Sequence, residues 1–292
     1  HGHHDSAMVS VASEADEIGP SSAPLSSPAG SGLPEAMTEL TRIAHFNDLE
    51  SIERILLENQ GQVAGAILEP IMMNAGIIPP EDGFLSGLKE LLHRHGALLT
   101  FDEVKTGLTT GPGGATGLFG VTPDLVCLAK AMGGGIPCGA IGGTHQVMGL
   151  IVKGEYEQVG TFNGNPLTMA AAKAVLTEIL TADAYRHIES LRDQMLTGVE
   201  EVIGESGLTA YALAFGAKGC VTFASSRTRN YRDYLEIDDN YGHLHWLFQH
   251  NGGVFLPPWG KAEQWTVSVQ HTTDDAQRFV DNFRAFAQAL AD

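Results

Sequence analysis

Lys130 and Asp102 are the two residues whose type and spacing could do chemistry. Lys130 lies in "DLVCLAKAMGGGIPCGAIGG" (124–143), between an apolar run and a cluster of glycines. Burying its ammonium without a partner is costly, or lowers its pKa until the proton is lost. A lysine in that state is the nucleophile needed for a Schiff base. A lysine that ends a strand and snorkels to water is merely structural. Asp102 closes "ALLTFD", one strand–crossover–strand unit earlier. In open parallel sheets ligands collect beyond the carboxyl ends of the strands, so both residues would face one site. They could form a structural ion pair, which is weak support for function. They could also hold a cofactor between them. The lysine would then form the imine, and the carboxylate would keep a ring nitrogen protonated so that the ring draws electrons. At an effective dielectric of about 20 and about 3 Å, that contact is worth roughly 5 kcal/mol before desolvation.

The elements that must position these residues follow from the apolar pattern. "DLESIERILLENQG" (48–61) has helical spacing with Gly61 as a stop. "VAGAILEP" (63–70) and "ALLTFDEV" (97–104) read as buried strands. Between them, "DGFLSGLKELLHRHG" (82–96) puts Leu85, Leu88, Leu91 and Leu92 on one helical face. "DLVCLAK" and "CGAIGG" are two further short strands, and "PLTMAAAKAVLTEIL" (166–180) is a helix with Pro166 early in it. Strands alternating with helices predict a parallel sheet covered on both faces. From about residue 184 a long amphipathic helix, strand-like "GCVTFAS" and "QWTVSVQ", and a final helix, "TDDAQRFVDNFRAFAQALA", predict a smaller α+β unit. Residues 10–34 are rich in Ser, Ala, Gly and Pro and read as a long loop, of the kind that is a functional lid or disordered.

Composition removes several classes. The 292 residues carry 17 basic and 35 acidic side chains, a formal net charge of -18, which opposes a phosphate-backbone footprint. No nucleic-acid partner is expected. No apolar run approaches the roughly 20 residues needed to span a bilayer, so no membrane partner is expected either. The three cysteines (Cys127, Cys138 and Cys220) lack CxxC spacing and fit a reducing compartment, hence the cytoplasm. Twelve histidines show no paired ligand spacing, and no metal site is expected.

Four blocks then fall in order: "LEPIMMNAGIIPP", "GALLTFDEVKTG", "FGVTPDLVCLAKAMGGGIPCGAIGG" and "GTFNGNPLTMAAA". They resemble successive blocks of the class III aminotransferases, enzymes of fold type I that use pyridoxal 5'-phosphate (PLP). Within that class the likeness is nearest to glutamate-1-semialdehyde 2,1-aminomutase and its transaminase relatives. It runs along the whole chain and is densest from 63 to 175. The resemblance implies an α/β large domain over 1–183, with a mostly parallel sheet, helices on both faces and a gate loop at 10–34. A smaller α+β domain would follow over 184–292.

The resemblance also implies roles. Lys130 would form the Schiff base and shuttle the proton, and Asp102 would pair with the pyridine nitrogen. Val104 would pack on the ring, or be an ordinary core valine. Asn74 would hydrogen-bond the ring hydroxyl, and Glu69 would serve either the substrate or the structure. Thr161, in "GTFNGNP", would reach across a homodimer to the partner's cofactor phosphate. Glu263, in "PPWGKAEQWTVSVQHT", would face the substrate, or be an exposed loop residue. The glycines 133–135 give backbone room beside the lysine.

Lys105 and Leu108 depart from the family's "DEVMTGFR" block, and "GTFNGNP" departs from the aminomutases' "GTLSGNP". These departures favour a general transaminase, acting on small amino and oxo substrates, over the aminomutase. Glu263 and the gate pull the other way. A non-catalytic PLP-binding module is a third reading. The opening "HGHHD" fits the family's "YHGxxD" segment rather than a tag. The chain then reads as the C-terminal portion of a longer enzyme, without the family's phosphate-cradling loop, and weak or no activity is expected from it alone.

Overall fold

The computed structural model describes residues 1–257, 260–262 and 264–291. A short helix α1 (Glu35–Thr38) precedes α2 (Leu49–Glu58), which starts where the Asp48 side chain accepts from Ser51 N. Strand β1 (Gly65–Leu68) leads to α3 (Phe84–Arg94) and β2 (Leu98–Asp102). Then come α4 (Gly114–Phe119), β3 (Leu125–Ala129) and β4 (Gly139–Gly143). The strands form one sheet in the order β1-β2-β3-β4, with β1, β2 and β3 parallel. Strand β4 runs antiparallel to β3. The connection through residues 130–138 is too short for a parallel crossover, so the chain turns back on itself.

Leu85, Leu88, Leu91 and Leu92 of α3 are all buried, as their spacing predicts, against Leu99, Phe101 and the α2 residues Ile52 and Leu56. The prediction of fully buried strands is corrected. Leu99 and Phe101 are buried, but Ile67, Leu98 and Ile141 remain 46%, 37% and 46% exposed. Helices α2 and α3 both pack on the Leu99 face, and the opposite face keeps these aliphatic side chains accessible.

Helices α5 (His145–Val152) and α6 (Pro166–Ala174) follow, the latter capped by Asn165 and continuing into a π turn at Val175–Ile179. Helix α7 (Ala182–Ser206) follows, where Thr181 accepts from Ala184 N. Strands β5 (Tyr211–Phe215), β6 (Lys218–Thr222) and β7 (Gln264–Thr266) make an antiparallel sheet. Between β6 and β7 lie α8 (Tyr231–Leu235) and α9 (Asp239–Asn251), and α10 (Thr273–Ala291) ends the described chain. Leu191, Met195 and Val199 of α7 pack with Trp265 and with Phe279, Val280 and Phe283 of α10. The α+β character expected of this region is present, and β5, α8 and α9 add to the elements the sequence predicts.

A small apolar joint connects the two sheets. Ile71, Met73 and Ile77, from the loop after β1, pack against Cys220 and Ala262, with Leu213 and Phe215 alongside. Tyr185 donates to Leu108 O at 3.1 Å, and Ala217 N donates to Thr109 O at 2.8 Å. Residues 10–34 form no helix or strand, with Pro28 bridging to Val9, yet they are held. Tyr231 of α8 donates to Ser13 O at 2.9 Å, and Arg232 Nη2 donates to Gly19 O at 2.7 Å.

Candidate active site

Asp102 and Lys130 stand at the carboxyl ends of β2 and β3, which are hydrogen-bonded neighbours in parallel register. The side chain of Asp102 is largely buried. Its Oδ1 accepts from Val104 N at 2.9 Å, and His1 Nδ1 donates to its Oδ2 at 2.7 Å. One oxygen is thus committed to the backbone and the other is turned to a ring N–H. That is the disposition a carboxylate needs to hold a protonated ring nitrogen, so the residues fit a pyridine cofactor.

Lys130 is exposed, which corrects the expectation of a buried lysine. Its backbone has φ +50°, in the left-handed region that costs a non-glycine residue about 1 kcal/mol or more. Gly134 has φ +56°, and a Cβ there would lie 2.5 Å from Val175 Cγ2.

Glu69 sits just beyond β1. It accepts from Asn74 Nδ2 at 2.9 Å and from Met73 N at 3.3 Å. Burial pushes its pKa up, opposed by the Asn74 hydrogen bond and the charge of Lys105, while Asp102 pushes the same way as burial. Asn74 therefore belongs to the Glu69 cluster beside Asp102, its amide engaged within the chain. Val104 is half-buried, and its N–H is the one that fixes Asp102. Thr161 is exposed in a turn closed by Asn163 N to Gly160 O at 3.0 Å, and its hydroxyl makes no hydrogen bond within the described residues. Glu263 lies outside the described residues.

Three residues without an assigned role in the sequence reading enter the site. His1 holds Asp102. Its signal was its place in the "HGHHD" block. Lys105 Nζ donates to Met73 O at 2.9 Å; burial lowers its pKa, Glu69 raises it and Lys130 lowers it again. Lys218, from β6, donates to Thr266 Oγ1 at 3.0 Å. Its pKa falls to about 8, mainly through burial and then through the charges of Lys105 and Lys130. A fourth, Glu103, is a buried carboxylate that accepts from Ala115 N, Thr116 N, Thr116 Oγ1 and Thr106 Oγ1. It ties α4 to the turn carrying Val104 and Lys105.

A parallel α/β sheet with a lysine and a buried aspartate at adjacent strand ends is the framework of fold type I PLP enzymes. The chain belongs to the class-III aminotransferase family, which its residues 1–259 match. It is 33% identical over 291 residues to the glutamate-1-semialdehyde 2,1-aminomutase of Aquifex aeolicus (strain VF5), covering 99% of this chain and 67% of that protein. The crystal structure of an omega-transaminase from Sphaerobacter thermophilus superposes with a TM-score of 0.91 at 29% identity, over 100% of this chain and 67% of that one. A glutamate-1-semialdehyde aminomutase from Pseudomonas aeruginosa PAO1, crystallised in complex with PMP, gives 0.84 at 29% identity, over 99% of this chain and 64% of that one. The chain thus spans about two thirds of the length of its relatives. The family's cofactor is PLP.

Proposed function

We propose that this chain carries the amino-transfer chemistry of a PLP-dependent transaminase, moving an amino group from an amino donor to an oxo acid or aldehyde. The observation that carries the reading is Asp102, buried at a strand end with an oxygen on a ring N–H, one strand away from Lys130. When bound, PLP supplies the electron sink for the substrate's amino carbon. Lys130 Nζ is the group that binds the cofactor and that, once released, takes and returns the proton at the substrate carbon. Its exposure and left-handed backbone support a side chain presented outward from the strand end. Asp102 orients the cofactor ring, Val104 N fixes Asp102, and the Val104 side chain packs against a face of the ring. Asn74 and Glu69 line the ring's edge.

An aminomutase is the second reading, favoured by the 33% identity to a curated glutamate-1-semialdehyde 2,1-aminomutase. Glu263 would favour it if it faced the substrate. Assembly as a homodimer is part of the proposal. Val159 and Phe162, 80% and 82% exposed, flank Thr161 on an apolar surface that a second copy would cover. So are a division near residue 183, a gate at 10–34 and a cytoplasmic location, the last supported by three free cysteines.

The test uses the full-length protein loaded with cofactor. Glutamate 1-semialdehyde supplied alone, with 5-aminolevulinate followed, separates the two enzymes. Sustained turnover means an aminomutase. Amino exchange with ordinary amino and oxo acids, and no 5-aminolevulinate, means a transaminase. Lys130→Ala should abolish either activity. A Lys130→Ala protein as active as the unsubstituted one would overturn the assignment.

A further inference from the structure

The loop that carries Asn74 is gripped from both sheets. Just past β1 it closes on itself, Met72 N donating to Ile78 O and Ile78 N to Met72 O, both at 3.0 Å. Asn74 is the one exposed residue of 73–78; its neighbours Met73, Ala75, Ile77 and Ile78 are buried. On the side of the four-stranded sheet, Glu69 accepts from Met73 N and Asn74 Nδ2, and Lys105 Nζ donates to Met73 O.

The second grip comes from β7. Side chains alternate along a strand, so Trp265 is buried among α7 and α10 while Gln264, one residue earlier, faces the loop. Trp265 is closely packed. Its ring lies 5.1 Å from that of Phe279, and a Cβ on Gly219 would come within 2.0 Å of its Cζ2. Gln264 therefore projects from an anchored strand, and its Nε2 donates to Met73 O and, at 2.7 Å, to Gly76 O. Those two carbonyls bracket Asn74 and Ala75. Gly76 has φ +73°, and a Cβ there would lie 3.2 Å from Ala262 Cβ, so the loop also rests on the segment before β7. Two carbonyls satisfied by one amide fix the backbone between them. No motif assigns Gln264 a role.

We propose that Gln264 is a positioning residue: from the second sheet it sets where Asn74 meets the hydroxyl of the cofactor ring. The inference rests on the PLP reading of the Lys130 site and adds to it a residue from the other sheet. An N–H donated to the ring oxygen draws off negative charge that otherwise helps Lys130 Nζ keep its proton. Loosening Asn74 therefore raises the pH at which that proton leaves, which the colour of the bound cofactor reports.

The experiment titrates the absorbance of the full-length holoprotein with pH. Gln264→Met keeps the side-chain length and loses both donors, and Gln264→Glu sets a carboxylate against two carbonyls. Asn74→Ala should raise the midpoint by about half a pH unit or more, and Gln264→Met should move it the same way by a smaller amount. Gln264→Glu should exceed Gln264→Met; should it fail to fold, Gln264→Met decides alone. In the Asn74→Ala background Gln264→Met should add nothing. Without cofactor, amide exchange at Ile78 should quicken in Gln264→Met. A clasp that served stability alone would quicken exchange and leave the midpoint in place, which would overturn the positioning role. So would an inert Asn74→Ala, or a Gln264→Met shift of equal size with and without Asn74. Colour that titrates unchanged after Lys130→Ala would overturn the amino-transfer reading instead, and the comparison of Gln264 with Asn74 would still decide the positioning role.

Discussion

His245 should make the protein labile to mild acid. It lies fully buried on α9 among Phe223, Phe279, Phe283 and Phe286. Gln249 Nε2 donates to its Nε2 at 3.2 Å and to Phe279 O, while Gln249 Oε1 accepts from Asn282. The amide is thereby oriented, and His245 must offer Nε2 as a lone pair and carry its proton on Nδ1, which has no partner. Protonating Nε2 would set two donors against each other inside an aromatic cage. Burial accordingly lowers the pKa from 6.5 to about 3.

The unfolded chain binds this proton at pH values where the folded chain does not. Stability from this residue is therefore complete above pH 6.5 and declines as pH falls towards 3. One pH unit within that window is worth about 1.4 kcal/mol, so the loss is about 2 kcal/mol at pH 5 and about 3 kcal/mol at pH 4. The comparison that isolates it is His245→Phe, which keeps a ring in the cage. Urea unfolding followed by circular dichroism gives the stability of both proteins at pH 7.5, 6 and 5. The difference between them should move by about 2 kcal/mol in favour of the variant over that range. Parallel curves would refute the reasoning, since every other titrating group is common to both.

Gly216→Ala should lower the melting temperature and loosen the hairpin from the Thr109 turn, because the added Cβ meets a carbonyl oxygen and φ is positive; about 2 kcal/mol or more is expected. Glu103→Gln leaves an acceptor short among four donors, and should cost about 2 kcal/mol in urea unfolding and speed amide exchange across residues 103–116. Arg232→Ala removes the bonds to Ile18 and Gly19, so limited proteolysis within 10–34 should accelerate while the global unfolding midpoint stays put.

The Lys130 and Asp102 pair was legible because both close short apolar runs of the kind a parallel sheet requires, and α3 was legible because its leucines recur on one face. Burial was read less well. "VAGAILEP" is apolar throughout, yet Ile67 is exposed, since strand composition does not say which face finds a helix. "YALAF" alternates no more than its neighbours, so nothing in its pattern marks it as β5. Lys218 gave no warning either. Within "FGAKGCVTF" it looks like an ordinary strand charge, and only the seating of Gly216 and Ala217 on Thr109 brings it to residues distant in sequence. Lys105 did carry a signal, its departure from the family's "DEVMTGFR" block, but substitution alone does not say what the new charge faces.

That contrast bears on how the site can change. The strand ends that present Asp102 and Lys130 belong to a hydrogen-bonded sheet backed by α2 and α3, so their spacing is set by register and is hard to alter without loss of the core. The two sheets are joined by few contacts: a hairpin tip on Thr109 O, the Tyr185 hydroxyl on Leu108 O, the Gln264 amide on Met73 O and Gly76 O, and a small apolar cluster. Substitutions at Gly216, Gln264 or Ala262 should therefore loosen the joint while the spacing of Asp102 and Lys130 stays intact, whereas substitutions under β2 and β3 should disturb that spacing and lower activity.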